Sequence, residues 1–483
     1  MISELIAVAF AALSLRAIIS MNSFSGYNKA PMFGDYEAQR HWQEVTVNLP
    51  AKQWYTNGTR NDLQYWGLDY PPLTAYHSYL VGRTAELVNS SYVELDTSRG
   101  IETRQHKSFM RLTVLAADAF VYIPAMIILA ICMELTFRRT NANRRQLFVL
   151  LAIYPGQVLI DNGHFQYNNI SLGLAALAIA AILYNKHYVA AFAFTLALNY
   201  KQMELYHALP FFAYLLSSTL SHKSFRSFAI ELAGIASIVL GLFAILWFPW
   251  LGSLDATLQV LHRLFPIGRG VFEDKVANFW CSFNVVYKLK NHISNDQMAI
   301  ICLGTTLLAV LPTNIHLFFR RSKHTFLLAL FNTAAAFFLF SFQVHEKSIL
   351  LVSLPAICLF PWWPREMVWF LEVSVFSMIP LLRRDNLLVP TIALMIIFHF
   401  AFKCRYFQVN KKMEDEKNLL NSIIKISESL MVSILVGFLT IEPTARLPDI
   451  WPLIISVISC GHICVFLVWG YIQQFSNLSL NLK

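Results

Sequence analysis

The first feature of this chain able to do chemistry is a carboxylate set against a rigid step. In WGLDYPPLTAYHSYL, residues 66–80, Asp69 lies among aromatic rings and just ahead of Pro71-Pro72. Tyr70 precedes a proline and is pushed to extended geometry, while the prolines stiffen the segment before LTAYHSYL, which can start a helix. A carboxylate on a segment with few conformers is preorganised as a general base. The same residue could instead cap the helix that follows. Residue types alone leave both roles open.

Other clusters carry similar ambiguity. GDYEAQRHW places Asp35 and Glu37 two residues apart. On a helix, Glu37 neighbours Arg40 or His41, so either a local ion pair forms or the two carboxylates line a cavity. QVHEKS sets His345, Glu346 and Lys347 between apolar runs. Ionisable groups at a membrane boundary are costly and are candidate functional groups, although Lys347 could simply snorkel. An imidazole beside an ammonium suits a phosphate at headgroup depth. RLFPIGRGVFEDKVANFWC adds Arg263, Arg269 and Lys275, either a solvated loop or an anion clamp. DNGHFQYN, with Asp161, His164 and Gln166, and YKQMELYH both interrupt apolar runs. Such interruptions persist at membrane depth only where protein or a wet cavity satisfies them.

The elements that must position these residues are membrane helices. The 483 residues are 56% hydrophobic and 14% charged, against about a quarter charged for an ordinary soluble domain. Apolar runs near 3-20, 112-136, 146-160, 169-184, 189-200, 207-218, 227-249, 299-317, 325-342, 348-361, 366-382, 387-402, 424-441 and 451-473 predict an all-α polytopic membrane protein with about 14 transmembrane helices. The opening segment, with Glu4 and Arg16 and no basic leader, reads as the first span rather than a cleaved signal. The net charge of +9 does not indicate nucleic acid, because Lys and Arg sit in short clusters between apolar runs. Those clusters (Arg138, Arg139, Arg144 and Arg145; His222, Lys223 and Arg226; Arg320, Arg321 and Lys323; Lys403, Arg405, Lys411 and Lys412) fall on one side, taken as cytosolic along with both termini. Arg383 and Arg384 run against this bias.

The chain is thus expected to be one membrane domain, 1-483, with a long first lumenal loop at 21-107 and a second large lumenal loop at 250-298. The first loop carries the sequons Asn57-Gly58-Thr59 and Asn89-Ser90-Ser91. The polar clusters fall on this side of the membrane, and the cytosolic loops read as plain topology signals. The seven cysteines show no CxxC pair or metal-ligand spacing, so no disulfide framework or zinc site is predicted. Dinucleotide, P-loop, HExxH and GxSxG signatures are missing, which removes support for nucleotide and hydrolase chemistry. A transporter should show paired half-sequences, and none is found.

Taken together, YWGLDYPPLTAYHSY, GDYEAQRHW, SRGIETRQHKSFMR, LIDNGHFQYNNISLG, YKQMELYHALPFF, RLFPIGRGVFEDKVANFWC and QVHEKSILLVSLP resemble the endoplasmic-reticulum glucosyltransferases that build the N-glycan precursor. The resemblance extends from about residue 21 to 355. It implies the GT-C fold, residence in the endoplasmic reticulum membrane and a lumenal active site. It also implies inverting transfer of glucose from dolichyl-phosphate-glucose to Man9GlcNAc2-PP-dolichol, or, in the next enzyme of the pathway, to the monoglucosylated acceptor. Asp69 then corresponds to the family's catalytic base, and His345 to its donor-phosphate contact, with Lys347, Arg269 or Lys275 as further cations. Asp35, Glu37, Trp66, Tyr70, Asp161, His164, Gln166 and Glu346 are the expected substrate-binding residues. No metal or cofactor is expected, and oligomeric state is left open.

Overall fold

A computed structural model describes residues 2–138, 143–265, 275–409 and 418–476. Among them there is no strand, only a bridge pairing Gly58 with Asn61. Every apolar run of the sequence is helical. Among the described residues, seven helices are long and apolar enough to cross a membrane: Ser3–Ser20, Arg104–Thr136, Phe225–Trp247, Asn295–Phe319, Lys323–Phe340, Leu419–Thr440 and Ile450–Phe475.

The remaining runs form shorter helices, because polar residues and prolines break them. Arg144–Ile153 stops at Pro155 and passes into a π-helical turn, Leu159–Phe165. The run near 366-382 divides into Pro364–Ser377 and Ile379–Arg384, with Pro380 in the first turn of the second. Short apolar helices are kept by tertiary packing rather than by their own propensity. Asn168–Leu183 and Ile349–Leu359 are buried over most or all of their length and form the centre of the bundle. Phe225–Trp247 lies at the edge, with only Trp247 buried. Its outward Ile230, Leu240 and Ile245 make an apolar surface suited to lipid.

The two large loops contain helices of their own. Asp35–Asn48 and Pro72–Val88 lie in the first and pack against each other. The chain re-enters a long helix earlier than the apolar run suggests: Thr103 caps it by accepting from the His106 N–H at 3.2 Å, so the helix starts at Arg104. Leu254–Leu264 and Phe279–Val286 lie in the second loop, which ends at a Ser294/Gln297 capping box. Trp42, Trp54, Tyr55 and Leu68 from the first loop pack with Trp250, Val260 and Leu264 from the second. The two loops thus share one hydrophobic cluster beside the bundle. At about 2–3 kcal/mol for each fully buried large apolar side chain, this cluster is what joins them.

Candidate active site

The segment carrying Asp69 is held by its backbone. Five consecutive carbonyls each accept from a side chain: Trp66 O from Trp42 Nε1 at 2.8 Å, Gly67 O from Arg263 Nη2 at 2.7 Å, Leu68 O from Arg263 Nε at 3.1 Å, Asp69 O from Gln202 Nε2 at 3.0 Å and Tyr70 O from the Tyr55 hydroxyl at 2.7 Å. The donors come from both large loops and from the turn after His187–Tyr200. Trp66 adopts a left-handed φ of 48°, and its indole N–H donates to Met32 O at 2.5 Å. Gly67 has no room for a side chain, since a Cβ there would lie 2.7 Å from Leu63 Cα. The helix begins at Pro72 with Pro71 as N-cap and no side-chain cap. The N-cap position is thus Pro71 and not Asp69, and the half-buried carboxylate stands on a backbone fixed from several directions.

A second cluster collects charges from four separate segments. His164 Nε2 lies 2.8 Å from Asp35 Oδ2, Gln166 Nε2 donates to the same oxygen at 2.5 Å, and Lys347 forms a close ion pair with it. Asp385 meets the other imidazole nitrogen of His164, Nδ1, at 2.5 Å. Burial disfavours charge on Asp35, but Lys347 and His164 outweigh it and hold the carboxyl well below the usual range. Burial also opposes the Lys347 ammonium, and Asp35 more than restores it. His164 behaves alike: burial lowers its pKa, the Asp385 and Asp35 carboxylates together outweigh that and the opposing charge of Lys347, and its pKa ends raised. Lys347 and Asp35 are thus both ionised at neutral pH.

Lys201 lies next to both clusters. Its Nζ is 5.1 Å from the centre of the Tyr70 ring and donates to the Asn168 amide oxygen at 2.5 Å. Burial, and then the charge of Lys347, push its ammonium down to about 8. It is a buried cation whose closest acceptor is a neutral amide.

The residues anticipated from sequence thus separate. Asp35, His164, Gln166 and Lys347 meet directly. Asp161 is buried and committed to the helix Asn168–Leu183, accepting from the N–H groups of Asn168 and Asn169 at 3.2 and 2.6 Å. Glu37 takes the local alternative, bonding Arg40 through both oxygens at 2.6 and 2.8 Å within a network that includes Glu44 and Ser98. Glu346 lies 3.5 Å from Arg384, next to Asp385. His345 is exposed just before the turn Glu346–Ser348. Lys275 pairs with Asp449. Arg269 lies outside the described residues.

Sequence reasoning gave no role to Lys201, Gln202 or Asp385, and it left Arg263 open between a solvated loop and an anion clamp, whereas Arg263 donates to the Gly67 and Leu68 carbonyls. Asp385 had a signal: it follows Arg383-Arg384, the basic pair on the unexpected side. Lys201 and Gln202 lay within a polar interruption that was noticed but not resolved into roles.

A profile of the ALG6, ALG8 glycosyltransferase family matches residues 12–469. A Drosophila melanogaster protein named probable dolichyl pyrophosphate Man9GlcNAc2 alpha-1,3-glucosyltransferase is 62% identical over 98% of this chain and 99% of its own length. A Pongo abelii dolichyl pyrophosphate Man9GlcNAc2 alpha-1,3-glucosyltransferase is 44% identical over 96% of this chain and 94% of its own. An Arabidopsis thaliana relative with the same activity in its name is 39% identical over 98% of this chain. The chain belongs to the ALG6, ALG8 glycosyltransferase family.

Proposed function

We propose that this protein is an inverting glucosyltransferase of the GT-C fold. It moves glucose from dolichyl-phosphate-glucose to the terminal mannose of Man9GlcNAc2-PP-dolichol in α-1,3 linkage. The observation that carries the reading is the Asp69 segment, stapled at five successive carbonyls and adjoining the buried cation Lys201. The names of the relatives support the acceptor. The fold would have about 14 transmembrane helices, with residues 21-107 and 250-298 facing the lumen of the endoplasmic reticulum and both termini cytosolic.

In this mechanism Asp69 takes the proton of a mannose hydroxyl as that oxygen attacks C1 of the β-linked glucose. The bond from C1 to the phosphate oxygen breaks from the opposite face, so the product is α. Dolichyl phosphate leaves with the electron pair and needs no protonating acid if its charge is neutralised. Lys201, whose nearest acceptor is only an amide, would gain most from an arriving phosphate. Lys347 is the second candidate, with Asp35 holding its ammonium beside His164. His345 is retained as a phosphate contact from the family resemblance. Lys275 could join only by leaving Asp449. The rings of Trp66 and Tyr70 would face sugar.

The direct test supplies the purified chain with radiolabelled dolichyl-phosphate-glucose and either Man9GlcNAc2-PP-dolichol or its monoglucosylated form. Label should pass to the first acceptor. Transfer confined to the monoglucosylated acceptor would assign the next reaction of the pathway instead, and no transfer to either would refute the proposal.

A further inference from the structure

Away from the reaction centre, three helices bring a different set of donors together. Glu372 lies on Pro364–Ser377, His399 on Leu388–Val409 and Glu428 on Asn418–Thr440. His399 Nδ1 is 2.8 Å from Glu372 Oε1, and one ligand atom from each of the three residues lies within 4.8 Å of the others. Glu372 is 3% exposed, while His399 and Glu428 are partly open. The helix carrying Glu372 ends at Ser377, and Asp385 follows a separate helix, Ile379–Arg384; the three residues share no member with the cluster of Asp35, His164, Gln166, Lys347 and Asp385. This cluster is therefore separate from the Asp35 cluster.

We propose that Glu372, His399 and Glu428 form a binding site for a first-row divalent transition metal, with Zn2+ as the probe of choice. One carboxylate oxygen from each glutamate and one ring nitrogen of His399 lie close together, and a divalent ion among them would be attracted by both carboxylate charges. One imidazole nitrogen with two carboxylate oxygens suits Zn2+ or Mn2+ rather than Ca2+ or Mg2+, which favour all-oxygen shells, or Cu+, which favours sulfur. Ligands at 2.0–2.2 Å from zinc stand about 3.3 Å apart, so donors already within 4.8 Å of one another need only side-chain adjustment.

The surroundings fix the register. Trp369 Nε1, one turn before Glu372, donates to Ser427 Oγ at 2.9 Å, and that hydroxyl meets His462 Nε2 at 2.7 Å. These hydrogen bonds tie the helix of Glu372 to the helix of Glu428, one residue before that glutamate, and to Ile450–Phe475. The bland reading, a His–Glu pair that only packs helices, predicts no metal affinity. The lack of a cysteine signature does not bear on the site, since its ligands are carboxylate and imidazole from three distant segments.

The test uses the full chain in detergent, with a purification tag free of histidine, stripped with chelator and titrated with Zn2+. The wild-type chain should bind about one Zn2+ and gain thermal stability, and Glu372→Gln, His399→Ala and Glu428→Gln should each weaken binding roughly tenfold or more. Glu428→Asp should retain part of it. Zn2+ binding to the wild type no tighter than to the triple variant would overturn the proposal. If the variants fail to fold, Co2+ added to the stripped wild-type chain decides: the intense visible band of a four- or five-coordinate site supports the proposal, and the pale spectrum of hexaaquo Co2+ overturns it.

Discussion

Charge at the level of single residues decides whether the site can release an anion. Lys201 is buried, is shared with an amide rather than a carboxylate, and has its ammonium lowered to about 8, first by burial and then by Lys347. Lys201→Met removes a cation that would meet the leaving phosphate, and kcat should fall roughly 100-fold, as for the loss of one oxyanion donor. Unchanged kcat in a steady-state assay with dolichyl-phosphate-glucose would remove Lys201 from the phosphate site. Asp385 acts through another residue: it holds the buried His164 at 2.5 Å. Asp385→Ala leaves that imidazole with only the Asp35 carboxylate, which Lys347 shares, and should cost less than the roughly 3–5 kcal/mol of a wholly uncompensated buried charge, read as a lower thermal midpoint. Asp385→Asn, which keeps a polar partner, should recover part of the loss. Of these two residues the sequence offered only indirect marks, because its spacing does not reveal that positions 164 and 385 meet.

At the level of elements, the account turns on how the Asp69 segment is kept still. Arg263 on Leu254–Leu264 donates to both Gly67 and Leu68 carbonyls. Arg263→Ala frees them, and an ångström of misplacement can cost about 100-fold. The effect should fall on kcat, with KM for either lipid little changed. Equal loss in KM would mean that Arg263 touches substrate. Gly67→Ala, where a Cβ would crowd Leu63, should reduce kcat in the same way while the bundle stays folded. The prolines made the stiff segment and its following helix legible from sequence. The five staples were not, because their donors stand at residues 42, 55, 202 and 263 and only the tertiary fold aligns them. Nor did the pattern show that Glu37 would prefer Arg40. Asp35 and Glu37 look alike in sequence, yet one helix residue turns to the bundle and the other to its own helix.

For the whole molecule, every apolar run that hydropathy picked out is helical, but the pattern missed the loop helices Asp35–Asn48, Pro72–Val88, Leu254–Leu264 and Phe279–Val286 and could not tell spanning helices from short ones buried by their neighbours. Ile349–Leu359 is as apolar as any span, yet it is entirely enclosed. The proposed orientation makes a prediction at this scale. In sealed microsomes a tag at the C-terminus should be digested by added protease, whereas Asn57→Cys, at an exposed loop position, should react with an impermeant thiol reagent only after permeabilisation. The reverse pattern would put the Asp69 segment in the cytosol. Central to everything is a carboxylate acting as base. Asp69→Asn should bind both lipids with near wild-type affinity yet transfer glucose roughly 100- to 10,000-fold more slowly. Near wild-type kcat for that variant, in a reconstituted assay with both lipids saturating, would contradict the account.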